Sequence, residues 1–258
     1  MGERTLEVVK AVNSINERTR GKAMGNVREL LSSRMGPTTV KFDTGRGGTP
    51  ELTTQDIAAA LAYVQQGLGR ELLEALWWPE SAARRRDQLR QGVIALVAPE
   101  FNRQQFALST ARTEFGIAKA SMGWGGSTVT DVQRRELRRT EVALEAARAD
   151  TWPNNTMEQL GVLAGAVFSE MASACTCKKC DGDRTQPHPH GSGVMKCEEC
   201  SGSGFEPLSG RKRAAAIGAD CSAYSRFWQP VYTWMLRRMQ ALEEGAAAEF
   251  RRALTRAA

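Results

Sequence analysis

Two pairs of cysteines stand at a spacing that suits a metal ion. The first pair is Cys177 and Cys180, the second is Cys197 and Cys200, and sixteen residues separate the pairs. Two cysteines with two residues between them can direct both thiolates at one ion from a tight turn. Two such turns complete a tetrahedron of sulfur ligands and leave no position open for water. The pattern therefore predicts one structural zinc ion held by these four residues.

Glycines follow both cysteine pairs. Gly182 comes after the first pair, and Gly202 and Gly204 come after the second. A glycine allows a backbone amide to approach a thiolate and donate a hydrogen bond, which a metal-bound sulfur needs from its surroundings. The half-sites are similar to the CxxCxGxG turns of J-protein chaperones, although Arg184 stands where the second glycine of the first turn belongs.

Other residues near the pairs leave alternatives open. Cys175 forms CxC with Cys177, so either could serve as the ligand, with CxxC geometry favouring Cys177. His188 and His190 lie between the pairs and are interpreted as exposed loop residues, because four thiolates already satisfy zinc. A redox CxxC would need one pair at the start of a helix in a βαβ unit. Cys221 lies outside the pattern and is interpreted as a buried apolar residue.

The rest of the composition bears on the compartment. The segment Met1–Glu7 has no apolar core behind a basic start, so no secretory signal is expected. No run approaches the roughly 18 uninterrupted apolar residues of a membrane helix, so no membrane contact is expected. We therefore expect a cytoplasmic protein whose cysteines stay reduced, which favours metal binding over disulfides.

The positive charge is concentrated at the end of the chain. Residues 211–258 hold nine basic and four acidic residues, whereas residues 1–174 hold 22 basic and 20 acidic residues. A concentrated basic segment favours a polyanionic partner, because neutralised phosphates release their counterions. A solvated, arginine-rich helix face is the alternative interpretation of the same charges.

The elements that position these residues are predicted to be helices. Apolar residues recur at helical spacing, as in Ile57, Leu61 and Val64, and no long stretch alternates as a strand does. The fold class predicted is mainly α, with a helical body, an inserted four-cysteine zinc knuckle and a C-terminal helix-turn-helix. The predicted segments are an N-terminal helix and linker (1–52), the helical body (53–174), the zinc knuckle (175–207), and the helix-turn-helix with a basic C-terminal helix (208–258).

The helix-turn-helix prediction rests on residues after the cysteines. Such a motif needs a small residue where its helices approach, and a residue that tolerates positive φ four positions later. Ala214 and Gly218 meet these demands, and Asp220 or Ser222 can cap the second helix. The apolar positions expected to be buried are Ile217, Ala219, Tyr224 and Phe227. An ordinary helical hairpin stays open as the alternative.

The outer face of the second helix would then contact DNA. Ser222, Ser225, Arg226 and Gln229 are predicted to face a groove, with Arg226 and Gln229 best suited to base edges. The residues predicted to contact phosphates are Arg211, Lys212 and Arg213.

Residues 154–240 resemble the Q antitermination proteins of lambdoid phages. The resemblance consists of an apolar helix that leads into a CxxC, a second CxxC followed by Gly-x-Gly, and a helix-turn-helix that contains Ser225-Arg226-x-x-x-Pro230-x-Tyr232. Residues 52–67 are similar to a helix of the family, whereas the segment near 70–150 is extra.

The resemblance implies a function without covalent catalysis. Such proteins bind a DNA element in a late promoter, engage paused bacterial RNA polymerase that still carries its sigma factor, and narrow the RNA exit channel so that terminators fail. The resemblance does not decide whether the protein also contacts nascent RNA or self-associates on DNA. A regulator of initiation with the same zinc and helix-turn-helix is one alternative. A J-protein-like chaperone module is the other, although the His-Pro-Asp hairpin of such chaperones is missing here.

Overall fold

The computed structural model is mainly helical and contains the predicted cysteine cluster, which confirms the predicted fold class at that level. It describes Leu31 and residues 54–78, 86–122, 129–172, 177–180, 183, 185–188, 193–200, 202 and 204–257. The helices are α1 (Thr54–Ala62), α2 (Leu68–Trp77), α3 (Arg86–Ser121), α4 (Asp131–Asp150), α5 (Leu160–Ala172), α6 (Gly210–Ala216), α7 (Cys221–Ala223) and α8 (Gln229–Ala257). A π-helical segment, Tyr224–Trp228, joins α7 to α8, and two strands, β1 (Thr185–Pro187) and β2 (Val194–Lys196), precede α6.

The chain forms two compact units. Unit 1 combines residues 1–89 with residues 239–258, and unit 2 comprises residues 90–238. This division differs from the four predicted segments, because α8 contributes residues to both units. A helix of 29 residues is long enough to supply two separate apolar surfaces along its length.

Unit 1 is held together by an apolar core of helix faces. Ile57, Leu61 and Val64, which were predicted to share one helix face, are all buried in it. They pack with Leu31 and with the end of α8, where Phe250 and Leu254 are fully buried. The predicted apolar spacing therefore marks buried core positions, although Val64 lies beyond the end of α1.

Helix α2 approaches α8 closely within unit 1. A Cβ atom placed on Gly69 would lie 2.5 Å from the carbonyl oxygen of Leu242, so only glycine permits this approach. Nearby, the indole Nε1 of Trp77 donates a hydrogen bond of 2.9 Å to Glu243, which is buried in α8. A buried carboxylate needs such donors, because leaving it unsatisfied is costly.

Unit 2 contains a hairpin of two long helices. Helix α4 is capped at its N-terminus by Thr130, whose side chain accepts a hydrogen bond from the amide of Gln133. The side chain of Gln133 in turn accepts a hydrogen bond from the amide of Thr130. This reciprocal arrangement satisfies amides that the first turn leaves unpaired. Helices α3 and α4 then pack through Leu108, Ala111 and Leu144.

A tryptophan pair continues this packing within unit 2. Trp152 follows α4, is buried, and meets the ring of Trp234 edge to face, with centroids 5.0 Å apart. The amide of Trp152 donates a hydrogen bond of 3.0 Å to the side chain of Gln104 in α3. Gln104 is itself buried, so its amide group is used as a structural partner.

Some predictions lie outside the described residues. These are the N-terminal helix and linker (1–52), apart from Leu31, which is buried. Across the described ranges, every helix is too short or too polar to span a bilayer.

We predict that Gly69→Ala destabilises unit 1 by about 2 kcal/mol, because the new methyl group collides with the backbone of α8. Gly245→Ala is the matched control: it changes a glycine of the same unit whose Cβ would meet nothing within 4 Å. The control should be neutral or stabilising by up to about 1 kcal/mol, because alanine favours a helix. Chemical denaturation followed by circular dichroism measures both. Equal effects of the two substitutions would contradict the close approach.

Candidate metal centre and the helices that follow it

The four predicted cysteines come together in one cluster. Cys177, Cys180, Cys197 and Cys200 are all buried, and their sulfur atoms all lie within 4.8 Å of one another. Sulfur atoms of opposite pairs are 4.0 Å apart for Cys177 and Cys197 and 3.7 Å apart for Cys180 and Cys200. A tetrahedron with metal–sulfur bonds of about 2.3 Å places its sulfurs about 3.8 Å apart, so the cluster has the size of a four-thiolate site.

A short antiparallel hairpin connects the two pairs. Strand β1 pairs with β2 in the register Thr185–Lys196, Gln186–Met195 and Pro187–Val194, and sequence periodicity did not predict it. Three-residue strands are too short to produce a recognisable alternation. The hairpin places the side-chain amide of Gln186 2.9 Å from the sulfur of Cys197, to which it donates a hydrogen bond.

The glycines after the second pair adopt the conformation that the turn requires. Gly202 has φ of 75° and Gly204 has φ of 81°, in the left-handed region that favours glycine. The amide of Gly204 donates a hydrogen bond of 3.3 Å to the sulfur of Cys200, as predicted for this position. The carbonyl of Gly204 also accepts a 2.9 Å hydrogen bond from the amide of Cys177, which links the two half-sites.

These surroundings act on the thiol of Cys200. Its burial by itself raises the pKa, but the amide of Gly204 and the neighbouring thiols of Cys197 and Cys180 outweigh that effect. Together they lower the pKa of Cys200 to about 6. Donors that favour the thiolate are what a site needs if it is to hold a cation.

The donor set fits a metal ion bound in a closed site. Four buried sulfurs within 4.8 Å of one another could hold a metal ion, and four thiolate ligands would leave no position for a water or substrate ligand. His188 is exposed, as predicted, and is not part of the cluster. Cys175 and His190 lie outside the described residues. The described strands form an antiparallel hairpin, which differs from the βαβ unit of a thioredoxin-type redox site.

Two helices joined by a glycine turn follow the cysteines. Ser209 caps α6 by accepting a hydrogen bond from the amide of Lys212. The helix ends at Ala216, and the chain turns at Gly218, whose φ is 69°. The amide of Ala219 bonds to the carbonyl of Ala214 at 3.0 Å. Asp220 caps the next helix through the amide of Ala223, so Asp220, of the two residues predicted for this role, is the cap.

Most of the residues predicted to contact DNA are exposed on these helices. They are Arg211, Lys212, Ser222, Ser225, Arg226 and Gln229. Ala214 and Tyr224 are buried between the elements, as the predicted motif requires. That this helix pair is a DNA-binding helix-turn-helix stays a prediction.

Arg213 is the exception among the predicted phosphate contacts. Its guanidinium forms a two-pronged ion pair with Glu170 of α5, with Nη2–Oε1 and Nε–Oε2 distances of 2.6 and 2.9 Å. The two side chains are only 15% and 9% exposed. Burial disfavours the charge on Arg213, but Glu170 outweighs this and raises the pKa of the guanidinium. The structure therefore assigns Arg213 to the packing of α6 against α5, which corrects its predicted role.

Two tyrosines complete this buried cluster. The hydroxyl of Tyr232 donates a hydrogen bond of 2.8 Å to Glu170, and the guanidinium of Arg213 lies 5.3 Å from the centre of the Tyr232 ring. Burial and the bond to Glu170 both raise the pKa of Tyr232. Burial also raises the pKa of Tyr224, against the opposing effect of nearby Arg213. We call Glu170, Arg213, Tyr224 and Tyr232 the Glu170 cluster.

Two further predictions are corrected here. Phe227 was expected to be buried, but 49% of it is exposed. Cys221 was expected to be a buried apolar residue, but it is exposed at the start of α7. For Phe227 the reason is the π-helical segment, which rotates the residues after Tyr224 relative to a regular helix. Cys221 precedes that segment and lies at the exposed N-terminal end of α7.

The sequence patterns did not reveal the role of Glu170. The residue is an isolated acid in an otherwise apolar helix, LGVLAGAVFSEMA. A lone carboxylate at a core-facing helical position needs a cationic or hydroxyl partner, and this signal could have identified it. Its partners lie 43 and 62 residues further along the chain, so local spacing could not name them.

Comparisons of the chain with protein-family models, with curated proteins and with solved structures find no match.

We predict that Cys197→Ser removes bound metal and unfolds the hairpin, because a closed four-thiolate site loses its tetrahedral set with any one ligand. The matched control is Cys221→Ser, which changes an exposed thiol outside the cluster. Elemental analysis of the purified proteins should give one metal ion per chain for the control and the parent, and clearly less for Cys197→Ser. A full metal content in the Cys197→Ser protein would contradict the ligand assignment.

We also predict that Glu170→Gln destabilises the protein by about 3 kcal/mol, because the charge of Arg213 is then left buried without its partner. Glu136→Gln serves as the control, since the pair of Glu136 and Arg139 is exposed and should contribute nothing measurable. Urea unfolding measures the difference. If the Glu170→Gln protein were as stable as the control, the cluster would not contribute to the free energy of unfolding.

Proposed function

We propose that this chain is a transcription antitermination factor that binds promoter DNA through α6 and the helix after it, and acts on bacterial RNA polymerase. The observation that carries the proposal is the order of the parts. A closed four-cysteine cluster is followed by a capped helix, a left-handed glycine turn, and a second capped segment whose exposed residues include Ser222, Ser225 and Arg226. The resemblance of residues 154–240 to the Q antitermination proteins supplies the specific activity.

The metal in this proposal is one structural zinc ion. Four thiolates at tetrahedral spacing are the donor set that zinc takes in structural sites, and soft sulfur ligands disfavour magnesium and calcium. The ion would hold the two cysteine turns and the hairpin as one rigid base. Helix α5 leads into this base and α6 leads out of it, so the base would help to place the DNA-contacting helices.

Charge on the outer face supports a nucleic-acid partner. Arg211 and Lys212 are exposed at the start of α6, where they can neutralise phosphates. Arg226 and Gln229 are exposed on the second helix and carry the side chains best suited to guanine and adenine edges. Ser222 and Ser225 are exposed beside them and can bond to either bases or phosphates.

The remaining parts would engage the transcription machinery. In this proposal the helical body contacts RNA polymerase and its sigma factor, and the chain then reduces pausing and termination by narrowing the RNA exit channel. The protein acts in the cytoplasm of a bacterial host, where reducing conditions keep its thiols available to zinc. It performs no covalent catalysis.

The test is transcription with purified bacterial polymerase and sigma factor. The template carries the late promoter from the genome that encodes the chain, followed by a distant terminator. We expect the wild-type chain to increase readthrough of the terminator. We expect Arg226→Ala to lose both readthrough and the DNA footprint at unchanged zinc content, whereas Arg112→Ala, an exposed arginine of α3, should behave as the wild type.

Other outcomes separate the alternatives. Altered initiation with unchanged termination would favour a local regulator and overturn antitermination. An intact footprint with Arg226→Ala would overturn the assignment of the second helix. If the chain bound no promoter DNA but prevented aggregation of an unfolded protein, the chaperone hypothesis would replace ours.

A further inference from the structure

The second helix of the candidate DNA-binding pair contains a wide turn. In the segment Tyr224–Trp228 the amide of Gln229 bonds to the carbonyl of Tyr224, five residues earlier, instead of four. The next residue, Pro230, has no N–H and cannot restore the α-helical bond to the residue four positions before it. Single π turns of this kind are often found at functional sites.

The wide turn allows both tyrosines of the Glu170 cluster to face the core. Tyr224 and Tyr232 are eight residues apart, which in a regular α-helix would separate their directions by about 80°. One additional residue in the turn brings them close to the spacing of seven, which puts them on the same side. Their rings meet edge to face with centroids 6.0 Å apart, and both residues are buried.

The same turn carries exposed side chains. Ser225, Arg226 and Phe227 are three consecutive exposed residues of the π-helical segment. Phe227 is 49% exposed, and the guanidinium carbon of Arg226 lies 5.1 Å from the centre of its ring. The ring attracts the cation through its negatively charged face, which restricts where the arginine can point.

We propose that Arg226 and Phe227 read two adjacent bases in the major groove, a guanine and a thymine. Arg226 donates to the guanine edge, and Phe227 contacts the 5-methyl group of the thymine while its ring holds the guanidinium. This proposal rests on the proposed DNA-binding function and adds a specificity-determining residue to it.

The chemistry of the groove selects these two bases. Guanine presents two acceptors in the major groove, which match the paired donors of an arginine. Thymine alone presents a methyl group there, and an aromatic side chain can cover it. A phenylalanine that is exposed in the free protein gains most from such a contact, because the contact removes apolar surface from water.

The experiment begins with random-sequence DNA duplexes selected by the full-length, metal-loaded protein. The enriched site is then made with thymine and, separately, with uracil at each thymine position, so that only the methyl group is lost. Affinities are measured for the wild type, for Phe227→Ala, and for Phe106→Ala. Phe106 is 75% exposed on α3 and provides the same substitution on a helix outside the candidate DNA-binding pair. Circular dichroism and metal content check that each variant is folded.

We expect one uracil substitution, next to an enriched guanine, to weaken wild-type binding about fourfold, the value of one buried methyl group. Phe227→Ala should bind the thymine duplex about fourfold more weakly than the wild type does, and should bind both duplexes equally. Phe106→Ala should behave as the wild type.

Two results would overturn the proposal in different ways. If the wild type binds an enriched site but does not distinguish uracil from thymine, Phe227 does not read the methyl group and the DNA-binding function stands. A Phe227→Ala protein that still prefers the thymine duplex has the same meaning. If no sequence is enriched at all, both this proposal and the proposed DNA-binding function fail.

Discussion

The packing of the helices that follow the cysteines in unit 2 depends on one buried carboxylate, that of Glu170. A carboxylate removed from water needs donors of fixed geometry, and this one receives a two-pronged contact from Arg213 and a hydrogen bond from Tyr232. These three residues belong to α5, α6 and α8, so one interaction ties together the helix before the cysteine cluster and the helices after it. The four clustered cysteines lie in the segment between α5 and α6, and the contacts of Glu170 hold the helices at both ends of that segment.

The outer surface of the second helix follows from the same constraint. Tyr224 and Tyr232 can both face the cluster only if the helix accommodates an extra residue between them, and Pro230 removes the amide that would oppose it. Arg226 and Phe227 lie in this wide turn, and both are exposed. A packing requirement inside the protein thus determines which side chains are available to a partner.

Features that depend on neighbours along the chain could be predicted from the sequence. Two CxxC pairs imply a four-thiolate cluster, since each pair brings its sulfurs together within one turn. The hydrogen bond from the amide of Gly204 to the sulfur of Cys200 was predictable for the same reason, because the two residues are only four positions apart. Helix caps such as Asp220 and the left-handed turn at Gly218 are also local, and both lie where the motif placed them.

Features that depend on distant partners were decided only by the tertiary structure. In the sequence, Arg213 is one of three consecutive basic residues that could contact phosphate. In the structure its guanidinium is paired with Glu170, 43 residues earlier in the chain, and is therefore not available to phosphate. The tertiary structure also decided that Phe227 is exposed while Tyr224 and Tyr232 are buried against each other, and that α8 contributes residues to both units. Sequence alone therefore determined the cysteine cluster and the helices, because their bonds are local, whereas the pairing of buried charges determined which side chains remain free for a ligand.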